Sequence, residues 1–160
     1  MTNPNSSDIK ALRIVYIALM LGVVVFLLIA FAFTLKIGSL GINDPAFEQV
    51  LLIVSTLMAF VSIPAGIIIF KKRTENIQDQ NFKSKIETFR SAMIFRAATM
   101  EGVGFFFVVC VVLTGSKISM IEVVMVLAVM LLYFPTNARL ALEMKHDLEE
   151  IERISKKEEF

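Results

Sequence analysis

The stretch Ile14-Val-Tyr-Ile-Ala-Leu-Met-Leu-Gly-Val-Val-Val-Phe-Leu-Leu-Ile-Ala-Phe-Ala-Phe33 decides the fold class. It contains no charged residue and no proline. A helix needs about 20 apolar residues to cross about 30 Å of hydrocarbon, so this segment has the length of one bilayer crossing. Lipid offers no partner for a bare amide or carbonyl, so a single crossing segment of this kind must be helical.

Working outward, the apolar blocks fall at about 12–33, 47–70, 91–113 and 118–134. The first three are long enough to span. The fourth is short and carries Glu122 near its start. It spans if Lys117 and Glu122 lie at the outer interface and the helix continues past Pro135. Ala30-Phe31-Ala32 has the small-x-small form of a signal cleavage site, but the run before it is longer than the 7–15 residues of a signal core, so a retained span is expected. Asn43-Asp44-Pro45 marks a turn, with Pro45 entering the second block. The fold class expected is therefore all-α: a four-helix transmembrane domain over residues 1–137 and an amphipathic cytoplasmic tail over 138–160.

Composition agrees with this reading. The chain has 160 residues, 56% of them hydrophobic and 19% charged, and its mean hydropathy is +0.73. Soluble domains are less apolar and more charged. A net charge of +1 offers no general attraction to nucleic acid. The placement of the cations is informative. Lys10 and Arg13 precede the first span, and Lys71, Lys72, Arg73, Lys83, Lys85 and Arg90 fill the second connection. Arg139, Lys145, Arg153, Lys156 and Lys157 lie in the tail, whereas the other two connections hold Lys36 and Lys117. The positive-inside rule then puts both termini and the middle loop in the cytoplasm. The expected location is the bacterial cytoplasmic (inner) membrane, with the bilayer as principal partner.

Metal and cofactor chemistry has little support in the residues. Cys110 is the single cysteine and His146 the single histidine, so neither a disulfide nor a Cys/His ligand set can form within the chain. The nine methionines are scattered and suit gap filling. No His, Ser and Asp groups cluster near an interface, so no enzyme activity, metal or cofactor is expected. Tyr16 and Tyr133 suit the membrane interfaces, and Glu122 is expected to reach headgroups or water.

Two helical stripes extend beyond the spans. Phe82, Ile86, Phe89 and Met93 carry the third helix below the membrane, and Leu140, Met144, Leu148, Ile151 and Ile154 recur through the tail. The acidic residues beside the second stripe allow docking on the basic middle loop or pairing between copies.

The third span holds the residues most open to a specific role. Glu101 lies about 16 Å along the axis from Arg90, near mid-membrane. A charge there costs roughly 2.5–3.5 kcal/mol, which makes the residue a functional candidate. Arg96 is five positions away, off the face that holds three- and four-residue neighbours, and leans towards the cytoplasm, so it does not pair simply with Glu101. Desolvation favours a protonated Glu101. Ala98 and Gly102 form a small-xxx-small pair that lets another helix approach, and Ser62 of the second span lies at matching depth to hydrogen-bond the carboxyl group.

Met93-Ile94, Ala97-Ala98, Glu101-Gly102 and the Phe/Val-rich run to Leu113 resemble the carboxylate-bearing helix of the proteolipid (c-type) subunits of rotary ATP synthases. That resemblance implies an ion-binding carboxylate at Glu101. The whole chain is similar to a family of small bacterial four-helix membrane proteins, through an Arg-x4-Glu-Gly third span and a Tyr-Phe-x-Pro-Thr-like end to the fourth. This second resemblance implies a fold and no activity. Two functions follow as expectations. One is a non-enzymatic subunit or scaffold that meets a second copy or a membrane-protein partner through the third span or the tail. The other is a proton- or cation-translocating protein that uses Glu101.

Overall fold

The computed structural model describes residues 6–38, 40, 44–75, 77 and 82–144. Among them the chain forms α1 (Ser6–Ile37), α2 (Pro45–Thr74), α3 (Phe82–Thr114), α4 (Lys117–Leu132) and α5 (Asn137–Met144). Three helices, α1, α2 and α3, are long and apolar enough to cross a membrane. A fourth crossing is available if α4 and α5, bent by 74° at their junction, act as one span. The outer surface agrees with a lipid surround. Leu21, Leu28, Leu57, Phe60, Ile121 and Leu132 are all exposed, a pattern that water would penalise heavily.

The helix ends follow local chemistry. Asp44 accepts a hydrogen bond from the Ala46 amide at 2.9 Å and caps α2, whose first residue is Pro45. Gly38 and Gly115 adopt φ of 85° and 68°, the left-handed conformation that ends α1 and α3. Gly115 and Ser116 alone join α3 to α4, so these two helices run antiparallel.

α4 departs from expectation. It does not continue past Pro135 but stops at Leu132, leaving a helix of 16 residues, about 24 Å long. A proline disfavours helical geometry in the residue before it and supplies no amide donor, so Phe134 and Pro135 turn the chain. Thr136 then starts α5: its hydroxyl accepts from the Arg139 amide at 3.2 Å and its carbonyl from the Leu140 amide at 2.9 Å. α5 packs back under the bundle, with Leu140 and Ala141 buried. The rest of the predicted tail stripe lies outside the described residues.

α3 is the central helix, and α1, α2 and α4 each pack chiefly on it. Its core face carries Phe89, Met93, Ala97, Met100, Val103 and Phe107, all essentially buried. Because protein surrounds it on three sides, α3 can hold polar groups that a lipid-facing helix could not. Close approach uses glycines: a Cβ on Gly104 would lie 3.0 Å from Val23 of α1, and one on Gly66 would collide with Thr99. The Ala98–Gly102 pair is not used within the bundle. Both residues are exposed, with nothing within 4 Å of where a Gly102 Cβ would sit. They lie on the strip of α3 left open between α1 and α2.

The two glycines therefore predict opposite outcomes. Gly104→Ala should lower stability by about 1–3 kcal/mol through overpacking on Val23. Gly102→Ala should leave it unchanged or raise it by up to about 1 kcal/mol through helix propensity. Thermal unfolding in detergent micelles, read by circular dichroism, checks both.

Candidate functional site

The end of a helix leaves carbonyls without intrahelical donors, and in an apolar setting each must find one. At the end of α4 that requirement is met in full. The Tyr133 amide serves Val129 and Met130, and the Phe134 amide serves Leu131. The Tyr16 hydroxyl of α1 donates to the Met130 carbonyl at 2.7 Å, and Arg139 of α5 donates to Leu132. Arg13 of α1 donates through Nε to the Pro135 carbonyl at 3.0 Å and through its second nitrogen to Asn137. Helices α1, α4 and α5 are thereby joined by hydrogen bonds at one end of the bundle.

Arg96 of α3 occupies the centre of this end. Its side chain is 2% exposed, yet it is charged. Glu143 of α5 supplies the counter-charge in a two-pronged contact, at 3.2 and 3.3 Å. The guanidinium also lies 3.9 Å from the Phe70 ring centre and 4.5 Å from that of Tyr133. Arg139 holds Glu143 from its own helix at 3.0 Å and lies 4.4 Å from the same tyrosine ring. Among the described residues Arg96 Nε finds no acceptor, so the aromatic faces cover a group whose hydrogen-bonding capacity is only partly used. Arg96 does lean away from Glu101 as expected, but it is enclosed and paired rather than drawn out to water.

Glu101 sits elsewhere on α3. Its carboxylate faces α1, 3.1 Å from where a Gly22 Cβ would lie, on the strip beside Ala98 and Gly102. Among the described residues it has no hydrogen-bond partner. Ser62 of α2 does not bind it, contrary to expectation. The matching depth of the two residues was no guide, because Glu101 is turned to α1 on the other side of the open strip.

Sequence reasoning missed two partnerships. Glu122, expected to reach headgroups or water, is half-buried and accepts from Thr56 of α2 at 2.6 Å, with Ser55 at 3.4 Å. Tyr16 is 1% exposed and belongs to the interior rather than to an interface. The signal for Glu122 was present in the adjacent hydroxyls of Ser55 and Thr56, which lie within an otherwise apolar block. The Arg96–Glu143 pair had no local signal, since the two residues are 47 positions apart.

Removing Glu143 strands a buried cation. Glu143→Ala should cost about 3 kcal/mol, the low end for a broken buried pair because Glu143 keeps 17% exposure. The double variant Arg96→Met with Glu143→Met should recover most of that loss. Melting temperatures of the three proteins in micelles test this, and equal destabilisation by the single and double variants would disprove it.

No protein-family model matches this chain, and no curated protein and no solved structure matches it.

Proposed function

We propose that the chain is a four-span protein of the bacterial cytoplasmic membrane, with both ends in the cytoplasm, that serves as a non-enzymatic subunit or scaffold of a membrane assembly. The cation-rich arm, middle loop and tail support the orientation. In that orientation the α4–α5 bend lies at the cytoplasmic interface, and α5 runs beneath the bundle. Arg96, Arg139, Glu143, Tyr16 and Tyr133 hold one another and the helix ends, which suits an architectural role.

The observation that carries the reading is the open strip of α3. Ala98 and Gly102 are exposed between α1 and α2, and Glu101 flanks them without a hydrogen bond among the described residues. Helices associate in lipid through close backbone approach and interhelical polar contacts, and this strip offers both. Its partner is a helix of a second copy or of another membrane protein. A Gly102→Leu variant should fold as well as the wild type and lose the assembly, because leucine fills the strip without touching the bundle. An Ala98→Cys variant in a Cys110→Ser background should cross-link to the partner in native membranes. Cross-linking that is absent in the Ala98→Cys protein, or assembly that survives Gly102→Leu, would count against the proposal.

A second reading rests on Glu101 alone. A carboxylate at mid-membrane depth without a hydrogen bond among the described residues suits a reversible proton or cation carrier, as the resemblance to the proteolipid helix implies. In reconstituted liposomes the carrier requires proton flux above that of empty vesicles, lost in Glu101→Gln. The scaffold predicts that both proteins match empty vesicles.

A further inference from the structure

A cavity lies on the far side of the molecule from the open strip, between α2 and α4, with Phe107 of α3 as its floor. Its volume is about 350 Å³, within the range of small-molecule sites. α2 contributes Thr56, Phe60 and Pro64 at successive turns, and α4 contributes Glu122, Met125 and Val129 in the same way. The two helices run parallel here, so Thr56 and Glu122 mark one end of the cavity and Pro64 and Val129 the other. Only the first end is polar.

Charge and hydrogen-bonding capacity restrict the occupant. Among the described residues Glu122 is the one acidic or basic side chain in the wall. Thr56 donates its hydroxyl hydrogen to Glu122 at 2.6 Å, so it has none left to offer an anion or a carbonyl. Ser55 stands 3.4 Å from the other carboxylate oxygen, but its single hydrogen has a nearer acceptor in the Leu52 carbonyl at 3.0 Å. That second oxygen therefore keeps free acceptor capacity. A bare metal ion would have to shed its water for one carboxylate and one hydroxyl, far short of a coordination shell. An organic ammonium is weakly hydrated, needs no coordinating shell, and is favoured by aromatic rings such as Phe60 and Phe107. The opening faces sideways: Phe60 and Met125 at the rim are 74% and 63% exposed on the lipid-facing surface. A molecule already dissolved in the bilayer can enter without crossing water.

We propose that the α2–α4 cavity binds a lipophilic ammonium compound, with its cationic group at Glu122 and its apolar body towards Pro64 and Val129. The site is separate from the α3 strip and does not depend on the scaffold reading.

The test is titration calorimetry on the full chain in nanodiscs of digalactosyldiacylglycerol, a neutral lipid that carries no ammonium group, with empty nanodiscs as reference. The probes are benzyltrimethylammonium and its neutral carbon isostere, neopentylbenzene. Saturable binding of the ammonium compound is expected, at least about tenfold tighter than that of the isostere. Glu122→Gln, which can keep the contact to Thr56, should remove that preference. Phe60→Ala should weaken binding about two- to fivefold. Val129→Phe, which fills the cavity and leaves Glu122 in place, should abolish it. Melting temperatures confirm that each variant is folded. The proposal is overturned if the wild type binds neither probe above the empty discs, binds both equally, or binds the ammonium compound unchanged after Glu122→Gln. In those cases the cavity is an acyl-chain groove.

Discussion

A guanidinium placed on the most enclosed helix of a membrane bundle must be neutralised from within the protein, because lipid cannot hydrate it. Arg96 imposes that condition on the rest of the chain. The carboxylate that satisfies it belongs to α5, so α5 must lie beneath α3 rather than extend away from the bundle. For α5 to arrive there, α4 must stop at Leu132 and the chain must turn through Tyr133 to Thr136. The turn in turn exposes carbonyls, which Tyr16, Arg13 and Arg139 satisfy. Each of these features answers a requirement set by the one before it. The aromatic rings of Phe70 and Tyr133 complete the enclosure, and they belong to the two helices that flank α3 at this end.

The polar residues are distributed with economy along α3 and its neighbours. Arg96 is bound on its edges and covered on its faces. Glu122 is held closely by Thr56 at one oxygen and more loosely by Ser55, at 3.4 Å, at the other. Glu101 has no hydrogen bond among the described residues. The order follows exposure to other helices: the more completely a charged group is surrounded by the bundle, the more completely the bundle supplies its partners. The two carboxylates with spare acceptor capacity, Glu101 and Glu122, each sit beside an open lateral surface, one on each side of the molecule.

Much of this was legible from residue order. The lengths of the apolar blocks identify α1, α2 and α3 as membrane-crossing helices, and Asp44-Pro45 marks the start of α2. Arg96 and Glu101 could be recognised as costly and non-complementary to each other from their five-residue spacing alone. What remained hidden is long-range and directional. Nothing local to Arg96 names Glu143. The side of α3 on which Glu101 falls depends on where α1 packs, and that is fixed by the contact of Val23 with Gly104 and of Gly22 with Phe105. Close approach was expected at Ala98 and Gly102, whereas within the bundle it occurs at Gly66 and Gly104. The Ala98–Gly102 pair is spaced equally well and was left outside. Spacing reports what a helix face permits, and the neighbouring helices decide which face is taken. For α4, the count of apolar residues suggested continuation, whereas the proline and the threonine that follows it terminated the helix.

The Arg96–Glu143 pair also bears on the order in which the molecule can be completed. Helices emerge from the ribosome from the N-terminus onward, so α3 reaches the membrane before the residue that neutralises it has been made. Until Glu143 arrives, the bundle carries a cation without its partner, and the aromatic enclosure lacks one wall at Tyr133. α5 thus acts as a fastening that closes only after the helices it holds have been made. A product interrupted between Thr114 and Lys117 would retain α1, α2 and α3 and leave the Arg96 guanidinium without Glu143.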